Sequence, residues 1–417
     1  MSLNFGPTLL AIPGPSVIPD RVLSAMHRPS PNIYEGELVD LAAGLTPDLQ
    51  AVARTKGKMA LYIANGHGAW EAALRNTLAP GDQILVLATG RFAAGWGDMA
   101  KTLGIEVDVL DFGMQGVADP DRVEQRLRED NQGKIKAVLT VQADTASAAL
   151  NDIPALRKAI DAANHPAMFF VDCIASLACD RFEMDEWGVD LMVAACQKGL
   201  MTPAGVCFVF FQNNDKINSA YKSANPGWYY DWSPRVDPDI FYQRFGGTAP
   251  THHLYGLREA LTMLVHEEGM ENAWARHETI ANAYWAALDA WGNGDGLHHN
   301  MADKTNRTRA VSTVTTAPED AMRIRQWCEH EAGVTLGIGL GFGEPGSAEW
   351  NRRFRIGHMG HQNIAMVGSV LTAIDCALKA LGIPHGDGAL EAANRVLISH
   401  SPSPKAVSGE SAAQQCC

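Results

Sequence analysis

Lys198 stands at the end of the apolar run Leu191-Met192-Val193-Ala194-Ala195-Cys196 and is followed by Gly199. A lysine at the end of a buried strand loses hydration, which disfavours its charged form. A neutral amine is what Schiff-base chemistry requires. The competing reading is a lysine that lays its stem over apolar surface and keeps its ammonium in water. Asp172 ends the run Met168-Phe169-Phe170-Val171. A carboxylate at the end of a buried strand needs a cationic partner. Such a carboxylate can hold a pyridine nitrogen protonated, so that the ring accepts electrons from a carbanion. Its plainer role would be a cap on the next segment.

Other residues fit around this pair. Asn65-Gly66-His67-Gly68 lies between a strand-like and a helical stretch. Its glycines would let backbone N–H groups approach a phosphate at a helix N-terminus, although an ordinary capped turn has the same composition. Phe92 follows another apolar run and could stack on a planar ring or simply pack in the core. Arg355 sits in the apolar strand Phe354-Arg355-Ile356. A buried arginine needs an anion, and its fork suits a carboxylate bidentately; a structural ion pair is the alternative. Gly337-Ile338-Gly339-Leu340-Gly341-Phe342-Gly343 looks like a nucleotide loop, but it is late in the chain and outside a βαβ unit. It reads as a flexible loop leading to Arg355. Lys198 lies 26 residues after Asp172, with one apolar strand between them. That arrangement fits a pyridoxal phosphate (PLP) site.

The elements that must position these residues alternate. Strand-like runs cover Met59–Ala64, Ile84–Ala88, Ile105–Val109, Ile135–Val141, Ala167–Val171, Leu191–Ala195 and Val206–Phe211. Helical spacing covers Ala69–Leu78, Ala93–Leu103 and Ile153–Ala163, the last with Asp152 as cap. Continuous apolar strands separated by helices predict an α/β fold with a mostly parallel sheet covered on both faces. The chain then reads as helical from Thr251 to Trp291. A smaller α+β unit follows: strands at Ala310–Thr316 and Phe354–Ile356, and helices at Pro318–Ala332, its proline at the first helical position, and Ala365–Leu381. The expected division is a segment 1–20 that packs with or bridges to the small unit, a large domain 21–265, a small domain 266–400 and a disordered tail 401–417. In open α/β sheets ligands sit beyond the carboxyl ends of the strands, where Asn65–Gly68, Asp144-Thr145, Asp172 and Gln197-Lys198 fall.

The chain has 417 residues, more than one core usually supports. Its net charge of -13 argues against nucleic acid or an anionic membrane as partner. No window is apolar for the length of a membrane span, and no signal peptide is visible. The 8 cysteines lack CxxC pairing. Buried reduced thiols, no metal site and a cytoplasmic location are expected. The terminal Cys416-Cys417 pair formally resembles a prenylation signal but has no basic residues upstream.

Several segments, in order, resemble the class V aminotransferases of PLP fold type I, particularly the serine–glyoxylate and alanine–glyoxylate aminotransferases. They are Pro13-Gly14-Pro15, Gly66-His67-Gly68-Ala69-Trp70-Glu71, Val171-Asp172-Cys173-Ile174-Ala175-Ser176, Gln197-Lys198-Gly199-Leu200-Met201 with Pro203-Ala204-Gly205, Leu254-Tyr255-Gly256-Leu257-Arg258-Glu259 and Arg355-Ile356-Gly357-His358. The resemblance implies a large PLP-binding domain and a smaller C-terminal one. It implies that Lys198 carries the cofactor and shuttles the proton, and that Asp172 pairs with the ring nitrogen. Thr145 would sit near the ring hydroxyl, Ile174 beneath the ring and Phe92 above it. Asn65, Gly66, His67 and Gln197 would lie at the phosphate, and Thr248 would reach it from the other subunit of a homodimer. Gly14 and Arg355 would meet the substrate: a small amino acid (serine, alanine or aspartate), with a 2-oxo acid such as glyoxylate or pyruvate as acceptor. The chain departs from the family pattern at Asp144 and Ala148, in a motif that usually reads E-T/S-x-T-G. It departs again at Cys173, where relatives have a small residue, and at Phe245, where some have a phosphate-binding tyrosine. The segment Asn32–Gly36 departs too. The family pattern places these changes near the substrate, which leaves the donor open; an aspartate donor would want a second cation, with Arg244, His252 and His253 as candidates.

Two rivals remain on the residues alone. A lyase or cysteine desulfurase on the same fold would need a mobile cysteine nucleophile, but Cys328 lies in a helical context and Gln197 stands where desulfurases place histidine. A non-catalytic binding protein would not need Lys198, Asp172 and Arg355 together.

Overall fold

The computed structural model of the protein describes residues 3–292 and 296–399. The tail 401–417, with Cys416-Cys417, lies outside the described residues. The strands in chain order are β1 (Leu9–Ala11), β2 (Lys58–Tyr62), β3 (Gln83–Ala88), β4 (Glu106–Asp111), β5 (Ile135–Val141), β6 (Met168–Asp172), β7 (Leu191–Ala195), β8 (Cys207–Phe211), β9 (His298–His299), β10 (Val311–Thr315), β11 (Val334–Leu336) and β12 (Arg353–Gly357). The seven-stranded sheet runs β2-β8-β7-β6-β5-β3-β4. Only β8 runs against its neighbours, pairing antiparallel with β2 and β7.

Every residue of β6, β7 and β8 is buried, so these strands read as unbroken apolar runs. The period of two still shows in the packing. Phe169, Val171, Met192 and Ala194 join one core cluster, whereas Met168, Phe170, Leu191 and Val193 join the other. These are the two faces of the sheet. Asp172 continues the alternation towards the face that carries the helix Gly66–Thr77, and Cys173 returns to the opposite core.

A third cluster is built on β10, β11, β12 and the helices Met270–Trp291, Asp320–Ala332 and Ile364–Ala380. The 22-residue helix Met270–Trp291 belongs to two cores: Met270, Ala273 and Trp274 pack with the large sheet, and Ile280 to Trp291 with the small unit. The N-terminal segment bridges as well. β1 pairs parallel with β11, and Ser16 then donates its N–H to the Gln197 carbonyl at 2.9 Å.

Two sequence expectations are corrected. The helix expected from Pro318 begins at Asp320, with Glu319 at its cap in the left-handed region (φ 68). Pro318 therefore lies in the preceding turn. The glycine-rich stretch Gly337–Gly343 is a loop, but an anchored one. Gly337 and Arg355 exchange both backbone hydrogen bonds, at 2.8 and 3.0 Å, and Arg353 lies over the Phe342 ring at 4.2 Å.

Among the described residues no helix is long and apolar enough to cross a membrane. Cys173, Cys179, Cys196, Cys207 and Cys328 are buried free thiols, and Cys376 is an exposed one.

Candidate active site

All the parallel strands of the large sheet end at one edge, and a cavity of ≈ 230 Å³ opens there. The segment after β2 brings Asn65, Gly66 and His67 to it; β3 leads to Phe92 and β5 to Thr145. β6 supplies Asp172 and Ile174, β7 leads to Gln197 and Lys198, and the N-terminal segment adds Gly14. These are ten of the residues singled out from the sequence. Thr248 is exposed and does not line the cavity. Arg355 is not in the lining either, but it is bonded to it: its Nη1 donates to the Thr145 carbonyl at 2.8 Å.

Lys198 is half-buried and its Nζ donates to the Pro13 carbonyl. Gly14 makes room for it. A Cβ at Gly14 would lie 2.3 Å from Nζ, and the backbone there has φ +99°. Burial lowers the Lys198 ammonium to about 8, with Arg355 adding to the shift and Asp172 opposing it. Asp172 accepts from the Ile174 N–H at 2.6 Å and from the Trp70 indole Nε1 at 2.8 Å. Burial pushes its carboxyl up to about 7; these two donors pull it down, Asp144 pushes it further up and Lys198 opposes. An amine and a carboxyl of ordinary solution behaviour are thus both driven towards their neutral forms in one pocket, as expected of sites that handle protons near neutral pH.

Asn65 caps the helix Gly66–Thr77, its Oδ1 accepting the His67 N–H at 3.0 Å. The first turn of that helix still presents N–H groups that lack intrahelical partners, and the glycine lets the backbone close in: a Cβ at Gly66 would meet Ile174 Cδ1 at 2.4 Å. Burial, then Arg91, lowers the His67 imidazolium. The buried Gln197 Oε1 has no hydrogen-bond partner. Gln197 lines the cavity, and a buried amide oxygen without a partner is a polar group that a ligand could satisfy. The cradle of glycine backbone, helix N-terminus and orphaned amide fits a phosphate, and a cavity of ≈ 230 Å³ lined by Phe92, Ile174 and the Asp172 carboxyl has the apolar and acidic groups that suit a pyridine ring.

Arg355 is held by carbonyls rather than carboxylates. Its Nε donates to Ile338 O at 2.7 Å. No ion pair involves it among the described residues. Burial lowers it to about 10, Asp144 opposing and Arg325 adding. Arg244, His252 and His253 do not join the cavity. Arg244 bonds Thr46 at 2.9 Å, His252 the Arg28 carbonyl at 2.9 Å and His253 the Ala204 carbonyl at 3.1 Å.

The departures at Cys173, Phe245, Ala148 and Asp144 are buried side chains outside the cavity lining, whereas Asn32–Gly36 is largely exposed and also apart from the cavity. Cys173 packs in the core opposite Asp172, its thiol on Gln142 Oε1 at 3.6 Å and pushed up by burial. Phe245 is 1% exposed and packs edge-on against Phe241. Ala148 holds φ +65°, the left-handed conformation for which glycine is suited. Asp144 is fully buried and accepts from the N–H groups of Phe92 and Ala146, both at 2.8 Å.

Trp70 is the site residue that sequence reasoning passed over. It lines the cavity and bonds Asp172. A buried indole N–H needs an acceptor, but nothing local in the sequence points from Trp70 to Asp172, 102 positions away.

The profile of the family described as Aminotransferase class-V matches residues 54–351. A serine–glyoxylate aminotransferase of Methylorubrum extorquens is 36% identical over 89% of this chain and 92% of its own. An L-aspartate–glyoxylate aminotransferase of Paracoccus denitrificans is 33% identical over 89% of this chain and 91% of its own. The crystal structure of a ureidoglycine–glyoxylate aminotransferase from Bacillus subtilis superposes with a TM-score of 0.82 at 23% identity, covering 95% of this chain and 99% of that one. Profile, relatives and fold agree with the pocket, and the chain belongs to the class-V aminotransferase family.

Proposed function

We propose that the protein is a PLP-dependent aminotransferase that moves the amino group of a small amino acid (serine, alanine or aspartate) to a small 2-oxo acid such as glyoxylate or pyruvate. When bound, PLP supplies the aldehyde that takes the amino group and the ring that spreads the electron pair left at the substrate's Cα. Lys198 Nζ holds the cofactor at rest, then takes up the Cα proton and returns it. Asp172 holds a proton on the ring nitrogen. Thr145 would meet the ring hydroxyl, Phe92 and Ile174 would hold the ring, and Gly66, His67 and Gln197 would hold the phosphate, with Asn65 fixing their turn. Gly14 and Arg355 orient the amino acid.

The observation that carries this reading is Arg355. A buried guanidinium bonded only to carbonyls has charge to spare for a carboxylate. The rival desulfurase reading loses its nucleophile: Cys328 is 0% exposed inside the helix Asp320–Ala332, and burial pushes its thiol to about 12.

We further propose a cytoplasmic homodimer in which Thr248 completes the partner's phosphate site, with the chain divided at 20, 265 and 400. Support comes from apolar surface beside the pocket mouth. Trp228 is 82% and Ile240 50% exposed, and Tyr229, next to Trp228, bonds the Ile63 carbonyl just before Asn65 at 3.4 Å. Large apolar side chains left exposed to this degree suit an association surface.

The test is a donor and acceptor screen of the PLP-loaded protein, paired with Arg355→Lys. The substitution keeps the charge and loses the paired geometry. A charge-assisted hydrogen bond is worth about 1.5–3 kcal/mol, so the KM of the amino donor should rise on the order of ten- to a hundred-fold with PLP content unchanged. A plain amine without a carboxylate should react as before. Equal loss for both amines, or unfolding, would make Arg355 a structural residue.

A further inference from the structure

Trp70 sits in the helix Gly66–Thr77, is 2% exposed, and donates its Nε1–H to Asp172 Oδ2 at 2.8 Å. The Ile174 N–H binds the other oxygen, Oδ1, at 2.6 Å. The carboxylate is therefore pinned from two sides, and each oxygen keeps lone-pair capacity for a further donor. Trp70 is itself pinned. It stacks on Trp96 at 6.0 Å and 15°, and meets His67 edge-on at 4.7 Å and Phe92 at 6.3 Å. We propose that Trp70 is a positioning residue for transamination: its indole N–H fixes the orientation of Asp172 and keeps it anionic for the ring nitrogen of the cofactor. This inference rests on the reading that Asp172 pairs with that nitrogen.

The chemistry of the donor matters. An indole N–H donates only and does not titrate, so it favours the carboxylate over the carboxylic acid at every pH. Burial and the neighbouring Asp144 work the other way. Lys198 also favours the charged form, but the hydrogen bonds that Asp172 accepts come from the uncharged donors Trp70 and Ile174, so fixed dipoles of the protein hold the carboxylate ready for the cofactor. Trp96 provides the contrast. It lies in the same stack and is 0% exposed, yet its Nε1 has no partner. Packing alone would make the two tryptophans equivalent; the bond to Asp172 sets Trp70 apart.

The test compares Trp70→Phe and Trp96→Phe in the full chain, reading the dissociation constant of PLP across the neutral pH range. Loss of the N–H should weaken PLP binding about tenfold at neutral pH and move the pH below which binding falls upward by about one unit. Trp96→Phe should leave that pH unchanged even where it lowers thermal stability. If Trp70→Phe fails to fold, 3-benzothienylalanine at position 70 keeps the shape and stack with sulfur in place of N–H, and the same shift is expected. An unmoved pH curve in the Trp70 variants, or an equal shift in Trp96→Phe, overturns the proposal. Asp172→Asn in the same assay separates the two levels. It should abolish the pH step. If it leaves step and affinity intact, the pairing of Asp172 with the ring fails; if it removes the step while Trp70→Phe does not, only the role of Trp70 fails.

Discussion

Lys198 shows how burial, helped by a neighbouring arginine, readies a side chain for chemistry. An ordinary lysine at roughly pH 7.5 is neutral about once in a thousand molecules, whereas one lowered to about 8 is neutral in roughly a quarter. The sign is that of a cation losing water: as pH rises through about 8 the amine becomes a nucleophile. Uptake of PLP by the cofactor-free protein should therefore accelerate about tenfold per pH unit below about 8 and level off above it, as measured by stopped-flow absorbance. Borohydride reduction of the loaded protein followed by peptide mapping should mark Lys198. A label on another lysine, or a rate still climbing tenfold per unit well above that pH, would sink the assignment.

Elements are tied together by single groups, and Asp144 is the clearest. It stands beyond the end of β5 and accepts the Phe92 and Ala93 N–H groups, at 2.8 and 3.4 Å, in the first turn of the helix Arg91–Thr102. It also closes its own loop through Ala146 and Ser147. That helix has Gly90 at its cap and no capping side chain of its own, so a residue far away in sequence does the work and thereby positions Phe92. Asp144→Ala would strand buried N–H groups at about 1–3 kcal/mol each; a loss of about 3 kcal/mol or more in denaturant unfolding is expected, with weakened PLP binding. Asp144→Glu, although it matches the family pattern, should also destabilise. A Cβ at Gly90 would already fall 2.3 Å from the Asp144 Cγ, so there is no space for another methylene on this side. A Glu variant as stable as the parent would refute the packing argument.

Across the protein, the site depends on parts that belong to different units. The N-terminal segment pairs with β11 in the small unit and, a few residues on, bonds Lys198 through Pro13 and Ser16. Arg355 comes from β12 of that unit and reaches the Thr145 carbonyl on the large sheet. If Thr248 supplies the phosphate site of a second copy, cofactor retention must depend on protein concentration. Dilution to monomer should then release PLP, and Thr248→Ala should lower retention without changing the fold. A sedimenting monomer that keeps its PLP and full activity would contradict this arrangement.

Much of this was legible in the residues. Unbroken apolar runs such as Leu191–Ala195 announced strands buried on both faces, because only a doubly covered sheet hides every side chain. The polar residues that follow those runs had to fall at one edge, and Lys198, Asp172 and Asn65–His67 do. Helix ends were less legible: Pro318 suited a first turn, but Glu319 takes the left-handed conformation and the helix starts only at Asp320. Contacts between segments distant in sequence were not legible at all. Nothing in a linear pattern says that Asp144 caps the helix of Phe92, that Phe245 turns into its own core, or that the Trp70 indole meets Asp172 across 102 positions. Periodicity reports which face a side chain takes, a local property. Which partner it finds on that face is set by how the elements stack, and there the tertiary structure alone decides.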